Sequence, residues 1–320
     1  MEGYYSMKRF LKRIILFFAI WLVISSLIDI FITYSIRHSK KNEFVIWEDI
    51  INSEINADLL FLGSSRTTHS YNPIVFDTIL NTNSYNLGMY AKLIDMDIHC
   101  FQLYRETNNC PKIIVWDIFH NSFDYSGQFK DYQYVPYLFK NQIWDFLHNE
   151  YHDFHYSDKY IPLYKYWKNR SIIQLLLTKE TSNSNYYKGF IIDSSTWWSS
   201  DHLNNIEDNS ISCNYNQDLV ELFESTIEEM QSEGSKIVLV YSPFHIDGQC
   251  KIKNLDRFVL FVDSIAAKHN CLFLNYLHDS ICNNISFFHN TEHLNGIGAD
   301  VFSEKLAHDL DSIFNINNNQ

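Results

Sequence analysis

The sequence predicts an α/β protein on a central parallel sheet, preceded by an apolar membrane helix and interrupted by an aromatic-rich helical insertion. Three observations predict it. Five short apolar runs are bounded by turn residues, stretches of helical period lie between them, and one long apolar run sits near the N-terminus.

The runs are Asp58–Leu62, Ser84–Leu87, Lys112–Phe119, Lys236–Tyr241 and Cys271–Tyr276. Three are almost continuously apolar, the pattern of strands covered on both faces. Between them, Asp218–Ser232 places Leu219, Leu222, Phe223, Ile227 and Met230 on one helical stripe and stops at Gly234. Leu255–His269 and Ala299–Phe314 read the same way. Strand–helix alternation with short connections implies a parallel sheet with crossover helices.

From Ile14 to Ile36 the chain is apolar with a single ionisable residue, Asp29. That length covers the roughly 20 residues a helix needs to cross a hydrocarbon core. No small-x-small cleavage site follows, so the run reads as an uncleaved signal anchor. Residues 1–41 hold seven of the cations and two acids, whereas the whole chain carries a net charge of −13. A basic apolar head on an acidic body predicts a single-pass anchor, 1–41, with its N-terminus in the cytoplasm. The globular domain, 42–320, then lies on the periplasmic or extracellular side.

With 46% hydrophobic and 16% aromatic residues, the chain as a whole is not disordered. Its acidity excludes a nucleic-acid binder that works by neutralising phosphates. The six cysteines match no zinc spacing and form no CxxC; disulfides are allowed but not required by a core of this size. There is no P-loop, no GxGxxG and no HExxH, so neither a metal nor an organic cofactor is expected.

Residues 124–216 break the strand–helix pattern. This stretch is crowded with aromatics and histidines and shows no clear strand, which predicts a helical and loop insertion between the third and fourth strands. It reads either as a peripheral subdomain covering the sheet or as a lid or wall whose flat rings stack on sugars.

Two motifs carry chemistry. The first strand ends in Gly63-Ser64-Ser65-Arg66, where a serine after a tight turn can project above the carboxyl edge of a parallel sheet. Far downstream, His289-Asn290-Thr291-Glu292-His293-Leu294-Asn295-Gly296 places a histidine in a loop before a Gly-punctuated helix. Together FLGSSR and HLNGIGADVFSEKLA resemble the first and last blocks of the SGNH (GDSL-like) hydrolase superfamily, over roughly 57–123 and 218–314. The membrane-anchored branch acting on cell-envelope polymers is the nearest in pattern, including relatives of the D-alanylation and alginate-acetylation proteins.

The resemblance implies a flavodoxin-like three-layer sandwich and a serine esterase or O-acyltransferase. Ser65 would be the nucleophile and His293 the base, with Gly88 and Asn121 as oxyanion-hole donors. Asn290 occupies the place of the family's aspartate, and the family's Gly-x-Asn-Asp tetrad is missing. The implied substrate is an acylated envelope glycan or another envelope ester, and a membrane-bound acyltransferase is an allowed partner. The alternative is an inactive accessory or glycan-binding protein on the same fold. Arg66 would face an anionic substrate or pair with a surface acid, and His69, His120 and His245 would border the cleft.

Overall fold

Each of the five apolar runs forms a strand in the computed structural model, which describes residues 2–90, 93–124, 131–150, 154–177, 186–195, 197 and 206–316. They are β1 (Leu59–Leu62), β2 (Ser84–Asn86), β3 (Ile113–Asp117), β4 (Lys236–Tyr241) and β5 (Leu272–Asn275). All pairings are parallel, and the spatial order is β2-β1-β3-β4-β5. Leu59 pairs with Ser84 on one side and Ile113 on the other, Ile113 with Lys236, and Val238 with Leu272.

The period of two in a strand sends alternate residues to opposite faces. Leu59, Phe61, Ile113, Val115, Val238 and Val240 point into one core with Phe76, Phe302, Leu306 and Leu310 from the helices Pro73–Leu80 and Gly296–Phe314. On the other face, Trp116 is fully buried, meets Phe223 edge-on and donates its indole N–H to Asp97 Oδ2 at 3.1 Å. Phe223 belongs to the helix Gln217–Ser232, which Asn216 caps by accepting the Leu219 N–H. On that helix Val220 is buried and Leu222 is exposed, so the apolar stripe runs one residue off the predicted line.

The chain forms two compact units, 46–130 with 182–320, which holds the sheet, and 1–45 with 131–181. In the second of these, a helix runs from Glu2 to Arg37, and its Met7–Arg37 part is the one described helix long and apolar enough to cross a membrane. The same unit contains the short helical turns Asp131–Tyr137, Asn141–Asp145, Phe146–Glu150, Tyr156–Tyr160, Tyr164–Lys168 and Arg170–Leu177. Asp29, which stood alone in the apolar run, is paired there: Lys165 Nζ lies 2.9 Å from Oδ1, and the Leu163 N–H donates to Oδ2.

The expectation of no strand in the insertion needs correction. Tyr186–Tyr187 pairs antiparallel with Phe190–Ile191, and Ile211–Ser212 pairs parallel with Ile252–Lys253. Two-residue strands are too short to leave a period in sequence, which is why the pattern missed them. Parts of the insertion (125–130, 151–153, 178–185, 196 and 198–205) lie outside the described residues. None of the six cysteines is in a disulfide.

Candidate active site

In a doubly wound sheet of order 2-1-3-4-5, the crevice for a ligand lies beyond the carboxyl ends of β1 and β3, where the winding reverses. The turn after β1 fills that place. Gly63 takes φ +141°, and a Cβ there would lie 2.2 Å from Thr67 Oγ1, so only glycine lets the chain turn so sharply. Ser64 then caps the helix Ser65–Ser70, accepting the Arg66 N–H, and Ser65 is left half-buried at the helix start.

Ser65 Oγ is 2.8 Å from His293 Nε2, across 228 residues of chain. The histidine loop is braced from several sides. His289 N–H donates to the His293 carbonyl, Phe288 and Leu294 bridge, and the Asn295 side chain accepts the Gly298 N–H to start the last helix. His245 N–H donates to the Thr291 carbonyl, and Gly296 N–H to the Asp193 carbonyl.

Asn290 Oδ1 accepts three N–H groups, from the Glu292 backbone, the His293 backbone and the His293 ring Nδ1, each at 2.9 Å. Two backbone donors aimed at one atom decide which end of the amide is oxygen. The ring must then carry its proton on Nδ1, which leaves the Nε2 lone pair to receive the Ser65 O–H. The amide thus selects the tautomer a general base needs, without supplying the charge a carboxylate would bring.

His69 borders this pair, its ring 5.5 Å from that of His293 and nearly perpendicular to it, with Nε2 2.9 Å from the Tyr90 hydroxyl. Burial lowers its pKa to about 4, so it is neutral near pH 7 and does not repel a cation forming on His293. Beyond it, His289 contacts the Ser195 hydroxyl and lies 3.4 Å from Asp193 Oδ2. Burial works to raise Asp193, but hydrogen bonds from Ser195 and the nearby His289 hold it below the ordinary carboxylate value. Asp193 and Ser195 come from the insertion, where no motif announced them, whereas His289 opens the histidine motif.

Arg66 behaves differently from either expectation. It is 3% exposed and points inward, neither toward solvent nor toward a surface acid. Its guanidinium donates to the carbonyls of Glu292, Ser242 and Pro243 and to Ser242 Oγ, lies between the rings of Tyr241 and Phe244, and approaches Asp117 Oδ2 at 3.9 Å. Asp117 is buried at the end of β3, where burial pushes its carboxyl up while Arg66 and two Ser242 hydrogen bonds oppose. One side chain therefore ties the turn after β1, the histidine loop and the end of β4 together.

The oxyanion candidates are placed less directly. The Gly88 N–H donates to Asn86 Oδ1 at 2.8 Å, and a Cβ on Gly88 would lie 2.6 Å from Thr68 N. Asn86 also donates to the Thr67 and Tyr71 carbonyls, so this segment packs tightly against the nucleophile helix. Asn121 sits in the turn beyond β3, half-buried, its carbonyl accepting the Asp124 N–H; no hydrogen bond joins its side chain to Ser65 or His293. His120 is a core residue against Tyr241 and Phe244, and His245 caps a short helix beside Trp197. Among the described residues no group of three or more His, Cys, Asp or Glu could hold a metal ion.

A hydroxyl, an imidazole and an amide thus stand in series at the carboxyl edge of the parallel sheet. No family model and no curated protein matches the chain. Among solved structures it is similar to a candidate acylhydrolase from Bacteroides fragilis NCTC 9343, at 11% identity and TM-score 0.40, covering 80% of this chain and 86% of that one. It is also similar to a candidate lipolytic protein of the G-D-S-L family from Desulfitobacterium hafniense DCB-2, at 10% identity and TM-score 0.37, covering 78% and 97%. Resemblances this distant do not define the chain's activity.

Proposed function

We propose that this protein is an SGNH-type serine esterase or O-acyltransferase of flavodoxin-like three-layer architecture, acting on ester-linked acyl groups of cell-envelope glycans. The observation that carries the reading is the Ser65–His293–Asn290 chain of hydrogen bonds at the carboxyl edge of β1. Ser65 Oγ attacks the acyl carbonyl while its proton passes to His293 Nε2. Collapse of the tetrahedral adduct expels the sugar alkoxide, which takes that proton, and leaves the acyl group on Ser65. Water or a second hydroxyl, activated by His293, then releases the acyl group.

The Ser65 N–H is the first oxyanion donor in this reading. Gly88 N–H joins it only by leaving Asn86, and the Asn121 side-chain amide is the third donor of the reading. The N-terminal helix anchors the enzyme, and the globular domain faces the periplasm or cell exterior, where it meets its glycan and a membrane-bound acyltransferase partner.

The test is covalent labelling of the full-length protein by a fluorophosphonate, alongside hydrolysis of a chromogenic acetyl ester. Wild type is expected to label. Ser65→Ala should abolish labelling, and His293→Ala should slow it by about 10²–10⁴-fold, the usual worth of a general base. Equal labelling of wild type and Ser65→Ala overturns the assignment.

The engagement of Gly88 N–H by Asn86, together with an amide in place of the family's carboxylate, favours a second reading. In it the chain is a non-catalytic accessory or glycan-binding protein, and wild type itself fails to label while still binding an acetylated glycan.

A further inference from the structure

We infer that the aromatic segment 154–177, with Phe139 packed against it, is a membrane-interface anchor that lies on anionic phospholipid headgroups, seated there by its bonds to the transmembrane helix. This goes beyond the catalytic reading and does not depend on it. Three independent observations carry the inference.

The first is attachment. Lys165, 2% exposed along its side chain, pairs with Asp29; the Leu163 N–H donates to the same carboxylate; and Thr33 Oγ1 hydrogen-bonds the Tyr166 hydroxyl. Leu163 holds φ +67°, an unfavourable region for a residue with a Cβ, and in that conformation its N–H reaches Asp29. The segment is thus fastened to one face of the helix between Asp29 and Thr33.

The second is depth. From Ile15 to Phe31 the helix exposes every large apolar side chain, whereas Ser25 and Ile36 are covered. Lys8, Arg9, Lys12 and Arg13 stand before this run. At the 1.5 Å rise of an α-helix, the roughly 20 residues that cross a hydrocarbon core of about 30 Å run from Ile14 to Thr33. Asp29 then falls about one helical turn inside the hydrocarbon boundary, and the segment bonded to it reaches the headgroup layer.

The third is surface chemistry. Phe139, Tyr156, Tyr160, Ile161 and Trp167 are between 49% and 64% exposed. Phe139 packs edge-on to Tyr160, Tyr160 stacks on Tyr156, and Lys159 lies over Tyr160 and Trp144. Arg170 lies over Trp167. Between Tyr156 and Arg170 the chain holds four cations and one acid, in a protein whose net charge is −13. Amphipathic rings with interspersed lysine and arginine, on an otherwise acidic chain, suit the boundary between acyl chains and anionic headgroups. A lid or a sugar-stacking wall has no need of either the basic charge or the bond to the membrane helix.

The experiment uses the full-length chain in vesicles of phosphatidylcholine and phosphatidylglycerol, with and without bromine on acyl carbons 6 and 7. The emission that Trp167→Phe removes from wild type is expected to fall at least twofold in brominated vesicles and to resist aqueous iodide. In a Trp167→Phe background, Tyr160→Trp should add emission that is quenched in the same way. Lys159→Glu with Lys168→Glu should restore iodide access in anionic vesicles. Emission at both positions that is indifferent to bromine overturns the inference. If it is also shielded from iodide, a protein or a second copy of the chain covers this face instead of lipid.

Discussion

Ser65 and Arg66 are neighbours in one turn and face opposite worlds. Forward, Ser65, His293 and Asn290 form a relay with no formal charge, half-exposed at the mouth of the sheet. Backward, Arg66, Asp117 and Ser242 form a charged cluster from which water is excluded. The difference separates two tasks. A group that reacts must be able to gain a charge and lose it, so its partners are neutral and accessible. A group that holds three segments in register is tied down instead: the two terminal nitrogens of Arg66 meet the carbonyls of Glu292, Ser242 and Pro243, while its Nε has no hydrogen-bond acceptor.

The largest expected effect comes from breaking the backward cluster. Arg66→Met leaves the Asp117 carboxylate buried with no counter-cation, and removing one partner of a buried pair costs about 3–5 kcal/mol. The urea midpoint should fall accordingly. Arg66→Met combined with Asp117→Asn should recover part of the loss. Equal stability of the single and double variants would show that Arg66 acts through its hydrogen bonds to Glu292, Ser242 and Pro243 rather than through charge.

The forward relay is sharpened by giving it the charge it lacks. Asn290→Asp keeps an oxygen for the same three N–H donors and adds a carboxylate beside the imidazolium of the transition state. Because the native amide already selects the right tautomer, only the charge is missing. In the serine-protease precedent, Asp→Asn costs about 10⁴-fold, and that loss includes a wrong tautomer. The gain here is therefore smaller, about 10- to 100-fold in the labelling rate, or about 1.4–2.8 kcal/mol. An unchanged or lower rate would mean that the ring is not the base.

The smallest effect concerns His69. Its pKa is about 4 in the folded chain, chiefly through burial, against 6.5 when solvated. Between those values the unfolded state binds a proton that the folded state does not. Stability therefore falls as pH drops from about 6.5 toward 4, by about 2 kcal/mol between pH 7 and 5. His69→Gln should flatten the pH dependence of the unfolding midpoint by that amount. Parallel curves for variant and wild type would show that His69 is solvated.

Much of this was legible in the residues. The strands fell where the apolar runs put them, within two residues at each end, because turn residues bound every run and three of the runs are almost continuously apolar. Ser65 and His293 were legible because a glycine turn after a strand and a histidine before a capped helix are local features. Arg66 was not. A cation beside a serine is surface by default, and only the carbonyls of Glu292, Ser242 and Pro243, far away in sequence, make its burial tolerable. Asp193 and Ser195 were invisible for the same reason, since only their contacts with His289, about a hundred residues away, single them out.

By itself, the sequence determined the alternation of strands and helices and the long apolar N-terminal helix, and it singled out Ser65 and His293, because each depends on the period or chemistry of adjacent residues. Tertiary structure alone decided that Asn290 selects the tautomer of His293, that Gly88 spends its N–H on Asn86, and that Asp29 meets Lys165. Those outcomes depend on which donor finds which acceptor across hundreds of residues, and a buried polar group must find one. No local pattern encodes that choice.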